Sequence, residues 1–339
     1  MRDLPIIDVT DLRSKDLERR VAVGRKIAEA CTTAGFFYIV NHGVSQILID
    51  TAIAQSLAFF HQPLEVKART KANKTFRGFH GAGGALMYGA ERPDFKEFFQ
   101  IGLELAEDDP DVVAGQPLRG PNQWPETPTG FRPAMEAYYA AIGACGADLL
   151  RGVALALNLP ESFFKDRYAK PLQRTQAIYY PPQPEEMGAD QYGVAPHTDY
   201  GCITLLYQDD VGGLEVLNRD GQWVEGPPVP GSFVINVGDL LQRWTNDHFL
   251  SNAHRVRNTS NRERFSIASF YDPSYDAAVD PRDILSARNG SEAPRHAPIA
   301  AGDHIWGRIV ESGRHRKEKE AQTGEGGIRE IQIPEIQAQ

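Results

Sequence analysis

The stretch PHTDYGCITLLYQDDVGGLEVL, residues 196–217, decides the fold. It holds two short β-prone runs, CITLLY and LEVL, divided by a Gly-Gly turn signal at 212–213. Runs of the same kind surround it: QAIYY and QYGVA before, then QWVE, SFVIN, HRVRN and RFSIASFY after. They recur at roughly 8–15 residue intervals, separated by turns such as Asp-Gly at 220–221 and Pro-Gly at 230–231. Evenly spaced short strands of this type predict a sandwich or barrel from about residue 172 onward.

Upstream the character is mostly helical. Val21, Val23, Ile27, Ala28 and Cys31 recur at helical spacing, and that run stops before Gly35. FFYIV at 36–40 is aromatic and β-branched, which predicts a short strand. A second helix is expected from Ser45 to His61, ending ahead of Pro63. Residues 73–95 are glycine-rich and aperiodic, so they are expected to form a loop near a site. The longest helical signal covers 131–157, with Pro133 in its first turn and Pro160 beyond its end. The segment 314–325, RHRKEKEAQTGE, reads as a solvated helix end or tail.

Composition narrows the class. The 339 residues carry 36 Lys+Arg against 45 Asp+Glu, a net charge of −9, which argues against non-specific nucleic-acid binding. Apolar runs such as 36–40 are far shorter than the ~20 residues a membrane span needs, so no membrane association is expected. The N-terminus has no charged-then-apolar leader. Cys31, Cys145 and Cys202 are odd in number and widely spaced, which fits neither a disulfide framework nor a CxxC knuckle. A cytoplasmic protein with reduced thiols, monomeric by default, is the expectation.

Chemistry concentrates in the β-rich half. On a strand, residues i and i+2 share a face, so His197 and Asp199 present an imidazole and a carboxylate to the same space. His254, in a later β-run 55 residues past Asp199, is the candidate third ligand. Two histidines and one carboxylate with open positions form the facial triad of non-haem Fe(II) oxygenases. Ten residues on, Arg264 and Ser266 share a strand face. A planar guanidinium fork with a hydroxyl beside it suits a carboxylate, as a 2-oxo acid chelating the metal requires. Tyr180 offers a phenol to the same clamp, and Phe270 lies at an even offset from Arg264. Zn²⁺ also accepts two His and a carboxylate, and a zinc hydrolase is the rival metal reading. A non-catalytic carboxylate-binding module would carry a broken triad or lack the arginine; here both are intact.

Several stretches together resemble the isopenicillin N synthase-like family of iron(II)/2-oxoglutarate-dependent dioxygenases. They are LPIIDVTDL at 4–12, ACTTAGFFYIVNHGV at 30–44, RGPNQWP at 119–125 and YYPPQP at 179–184, followed by the run at 196–217, GDLLQRWTNDHFLSNAHRV at 238–256 and RERFSIASFYDP at 262–273. The likeness extends in order over residues 4–310. It implies a mainly β fold with flanking helices around a double-stranded β-helix, or jelly roll. The organisation expected is one structural domain: a helical and mixed region at 1–170 packing on the barrel, the jelly-roll core at 171–312, and a charged tail at 313–339.

By the resemblance, His197, Asp199 and His254 hold Fe(II), and Arg264, Ser266 and Tyr180 hold 2-oxoglutarate as cosubstrate alongside O₂. Phe270 matches an aromatic substrate-pocket position. Arg77 and Tyr88 of the glycine-rich loop, and Gln242 near the pocket mouth, are further substrate candidates. The implied reaction is oxidation, chiefly hydroxylation, of an unactivated C–H bond of a small molecule, with succinate and CO₂ as coproducts. One departure is visible: many plant members have Asn two residues before the clamp tyrosine, where this chain has Ile178. In isopenicillin N synthase itself the Arg-Ser pair binds the substrate's carboxylate and no 2-oxoglutarate is used; the motif does not separate these two cases.

Overall fold

The computed structural model describes residues 3–83, 92–183, 191–287 and 292–323, with side chains to 313. In chain order the first half contains β1 (Ile6–Asp8), α1 (Leu17–Thr33), β2 (Phe36–Val40), α2 (Gln46–Phe60), α3 (Leu64–Lys67), β3 (Gly78–His80), β4 (Glu97–Gly102), α4 (Pro110–Val113) and α5 (Phe131–Ala156). The second half contains β5 (Arg174–Tyr180), β6 (Val194–His197), β7 (Ile203–Gln208), β8 (Leu214–Leu217), β9 (Trp223–Glu225), β10 (Ser232–Val237), α6 (Asp239–Trp244), β11 (His254–Val256), β12 (Arg264–Tyr271), β13 (Ala278–Val279), α7 (Pro281–Ala287), β14 (Ile299–Ala300) and α8 (Ala301–Thr323).

Eight strands form one sheet in the order β1-β2-β10-β7-β12-β5-β4-β3, and four form a second in the order β6-β11-β8-β9. Strand alternation gives the large sheet two different faces. Phe37, Ile39, Ile235, Leu205, Ile267 and Ala177 point to one side, into a core shared with α1, α2 and α5. Phe36, Tyr38, Val234, Ala268, Ile178 and Phe98 point to the other, where they meet Val194, Leu214, Val216 and Val256 of the small sheet. Each fully buried side chain of this size contributes about 1.5–3 kcal/mol through loss of apolar surface from water. The site lies between the two sheets.

Helix ends follow local chemistry. The Asp16 carboxylate accepts the Glu18 N–H at the start of α1. Gly35 ends that run at φ +65°, where any Cβ would strike the Leu250 carbonyl. Beyond α5, Asn158 takes φ +58°, the left-handed conformation that terminates a helix. α5 has the length and apolar composition of a membrane span, yet it packs against α1 and α2 and buries Met135, Tyr138, Ile142 and Leu149 in the helical-face core. The three cysteines are buried free thiols, and burial pushes that of Cys145 up to about 12.

Two organisational expectations need amending. The region 1–170 does more than pack on the β-rich half: it supplies β1 to β4 of the large sheet, with β2 paired to β10 and β4 to β5. The proposed 312/313 boundary falls inside α8, because the Arg, Lys, Glu and Ala of the charged segment are good helix formers.

Candidate metal and cosubstrate site

His197 and His254 are register partners on neighbouring antiparallel strands, which brings their rings to 4.2 Å between centroids. The pairing slips between this position and the Val194–Val256 pair, so β6 carries one extra residue there. Pro196, with no N–H for the ladder, lies in that slip. His197 ends β6, so Asp199 stands just past the strand rather than two residues along it. The carboxylate is aimed by tertiary bonds instead. Thr204 Oγ1 and Asn236 Nδ2 donate to its Oδ2 at 2.5 and 2.7 Å. Its main-chain carbonyl accepts the Asp239 N–H at 2.7 Å. Asp239 in turn accepts from Thr198 Oγ1 and Ser251 Oγ, tying the turn after His197 to α6.

These bonds leave Asp199 Oδ1 facing the Nε2 atoms of both histidines, at 3.7 and 3.8 Å. One ligand atom from each of the three residues lies within 4.8 Å of the others. Each imidazole has its Nδ1 on a carbonyl oxygen, Ala195 O at 2.8 Å for His197 and Asn252 O at 3.4 Å for His254. A carbonyl only accepts, so Nδ1 carries the proton and Nε2 keeps a lone pair for a metal. Burial, then the neighbouring His254, lowers the His197 pKa well below its ordinary value. Burial works to raise Asp199, but both histidines and its two hydrogen bonds outweigh it and leave the carboxyl lowered. The donor set is that of a divalent transition metal with open positions.

The candidate carboxylate-binding residues stand on β12 and β5. Arg264 pairs with Tyr180, and Ser266 with Ile178 and Gln208. Arg264 is fully buried, with its guanidinium 4.6 Å from the Tyr180 ring centroid. Its Nε donates to the Gly212 carbonyl and its Nη2 to Gln208 Oε1. Gly212 and Gly213, both at positive φ, form the turn that presents this carbonyl. Arg264 Nη1 and Ser266 Oγ are buried with no partner among the described residues. A buried guanidinium N–H left unpaired is costly, and a ligand carboxylate satisfies it. Gln208 was invisible to sequence reasoning, because its contact with Arg264 exists only once β7 and β12 pair.

A cavity of about 310 Å³ opens over the triad. Tyr180 and Phe270 line it, with Phe36, Phe98, His80 and, from α8, Ile309. Arg77 is elsewhere: it is buried, and donates to Leu118 O and Asn122 Oδ1. Gln242 uses its Oε1 to accept the Ser251 N–H at 2.6 Å and does not line the cavity. Tyr88 lies outside the described residues.

The comparisons with known proteins agree with this chemistry. The N-terminal domain model for the non-haem dioxygenase in morphine synthesis matches residues 4–127, and that of the 2OG-Fe(II) oxygenase superfamily matches 171–273. A homoarginine-6-hydroxylase of Glycine max is 34% identical over 323 residues, covering 91% of this chain and 96% of the relative. The 2-oxoglutarate-Fe(II) type oxidoreductase hxnY of Emericella nidulans is 34% identical over 315 residues, covering 91% and 90%. Among solved structures, a full-length Neurospora crassa protein in complex with alpha-KG superposes with a TM-score of 0.81 at 26% identity, over 91% of this chain and 95% of that one. JOX2 in complex with 2OG, Fe and JA gives 0.75 at 27%, over 92% and 89%. Fold and site together define a non-haem iron oxygenase that uses 2-oxoglutarate. The chain belongs to the 2OG-Fe(II) oxygenase family.

Proposed function

We propose that this protein hydroxylates an unactivated C–H bond of a small molecule, converting R–H, O₂ and 2-oxoglutarate into R–OH, succinate and CO₂. In this reading the two sheets are the halves of a double-stranded β-helix in a single structural domain, with the ligands between them. His197, Asp199 and His254 hold Fe(II); Arg264 and Ser266 take the distal carboxylate of 2-oxoglutarate, with Tyr180 beside them. Phe270 forms part of the substrate wall. The observation that carries the reading is the pair of orphaned buried donors, Arg264 Nη1 and Ser266 Oγ, in the same molecule as three clustered ligand atoms.

Bound iron supplies open coordination positions and the redox chemistry that splits O₂. The chain's own groups do the rest. Carbonyls of Ala195 and Asn252 keep the imidazole protons on Nδ1. Thr204 and Asn236 hold Asp199 with Oδ1 turned to the histidines. The apolar walls from Phe36, Leu206, Leu214 and Val256 keep water away from the reacting atoms. The test is succinate formation from 2-oxoglutarate with Fe(II) and O₂ across a panel of small molecules. Substrate-stimulated succinate matched by an oxidised product is expected; metal-dependent turnover without 2-oxoglutarate would overturn the reading.

A further inference from the structure

Cross-strand register sorts the cavity floor into rows. Asn236, Thr204, Phe270 and Arg174 face one another across β10, β7, β12 and β5. The next row carries Leu206, Ala268, Gln176 and Gln100. The first row starts at the two residues that hold Asp199 and ends, two strands beyond Thr204, at a buried arginine. With strands about 4.8 Å apart, the Thr204 and Arg174 backbones are about 10 Å apart.

Arg174 lines the cavity at 7% exposure. Its Nη2 donates to Asp272 at 3.0 Å, its guanidinium stands 4.9 Å from the Phe270 ring centroid, and its Nε is buried without a partner among the described residues. Next to it lies a second guanidinium. Gly102 is the register partner of Arg174, and a Cβ at Gly102 would fall 1.3 Å from Arg77 Nη1. Among the described residues the Arg77 guanidinium donates to neutral oxygens, those of Leu118 and Asn122. Arg174 pairs with the buried Asp272, whereas Arg77, behind it, has Glu104 as its nearest opposing charge. Among the described residues that line the cavity, the only carboxylate is the metal ligand Asp199, and the Lys96 ammonium is paired with the buried Asp94 at 3.1 Å.

The neighbouring amides have a set direction. The Phe76 carbonyl only accepts, so Gln100 gives it Nε2 at 2.7 Å; Gln100 Oε1 then accepts Gln176 Nε2 at 2.8 Å. Gln176 Oε1 is thus an acceptor beside the Arg174 donor. Aromatic rings flank these rows on the same sheet: His80 and Phe98, register partners on β3 and β4, are stacked at 4.1 Å, and Phe270 lies in the Arg174 row.

We infer that the substrate is a small arene carboxylate, anchored by its carboxylate at Arg174 and held by its ring among Phe98, His80 and Phe270. The ring spans the gap between Arg174 and the triad, so oxidation falls on a carbon away from the carboxylate. The inference rests on the proposed function, which leaves the Arg264 side of the cavity to 2-oxoglutarate.

The test is calorimetric titration of the Fe(II)-loaded protein under anaerobic conditions. 2-Oxoglutarate is titrated first, and then benzoate and 2-naphthoate, each against its own carboxamide. At least one acid is expected to bind about tenfold or more tightly than its amide. Arg174→Lys keeps a cation facing Asp272 but removes the planar fork, and should reduce that preference to within about threefold with 2-oxoglutarate affinity unchanged. Arg174→Gln, checked for folding by its melting temperature, should do the same. Acid and amide binding alike, neither acid binding, or Arg174→Lys keeping the preference would each overturn the inference alone. Failure of 2-oxoglutarate to bind would overturn the functional reading beneath it and the inference with it.

Discussion

Arg264 and Tyr180 are register partners across β12 and β5, with the guanidinium carbon 4.6 Å from the ring centroid. The ring covers a cation that has two protein acceptors and an Nη1 amino group with no partner among the described residues. Arg264→Gln removes the charge but keeps an amide. The 2-oxoglutarate dissociation constant should rise by about 100-fold, the loss of a charge-assisted carboxylate contact. Anaerobic titration of the Fe(II)-loaded protein measures this, and Fe(II) affinity should stay within about threefold.

The position of Tyr180 depends on a missing side chain. A Cβ at Gly193 would sit 2.8 Å from Cδ1 of the ring. Gly193→Ala should therefore shift the ring, weaken 2-oxoglutarate binding by about tenfold and cost about 1–3 kcal/mol of stability by overpacking. Titration and denaturant unfolding read the two effects separately. Unchanged cosubstrate affinity would mean that the ring does not position the guanidinium.

Asn236 is not one of the three clustered ligand residues, but its amide is one of two side-chain donors on Asp199 Oδ2. Asn236→Ala should reduce Fe(II) affinity by about 10–100-fold, as loss of a partner that orients a metal ligand does. Competition with a chelator of known affinity gives the number. Asn236→Asp should be worse, because it sets a second carboxylate against Asp199.

Glu161 joins α1 to α5 by accepting from Arg20 at 2.9 Å and Arg151 at 2.8 Å. Burial acts to raise its pKa, but the two arginines outweigh it and leave it below the ordinary 4.5. Its contribution is therefore present above the unfolded value and is lost as pH falls through the lowered folded one. Glu161→Gln should cost about 1 kcal/mol at neutral pH. The gap from wild type should shrink below about pH 4 as both side chains become neutral. Urea unfolding at a series of pH values tests this; a constant gap would contradict it.

Much of this was legible in sequence where periodicity and chemistry coincided. The strands from QAIYY to RFSIASFY alternate between a helix-covered face and a cavity face, so Arg264, Ser266 and Phe270 could be placed on one side from their spacing. β4 was not legible. Both its faces are buried, and KEFFQIG shows no alternation to read. Asp199 was assigned to a strand that ends two residues earlier, since hydrogen bonds from Thr204 and Asn236, not pleat, aim it. Arg77 looked like a loop arginine because glycines surround it. In the fold it turns inward over Gly102, where the absence of a side chain makes room. Gln242 looked like a pocket-mouth residue, but its amide is taken up by the Ser251 main chain.

The central claim is that His197, Asp199 and His254 hold an iron that couples 2-oxoglutarate cleavage to O₂. Simultaneous measurement of O₂ uptake and succinate release, in wild type and in Asp199→Ala, tests it most directly. Wild type loaded with Fe(II) should release one succinate for each O₂ consumed. Asp199→Ala, folded but depleted of metal by elemental analysis, should release none above background. Succinate formation that continues in the metal-free variant, or wild-type turnover that needs no O₂, would contradict the account.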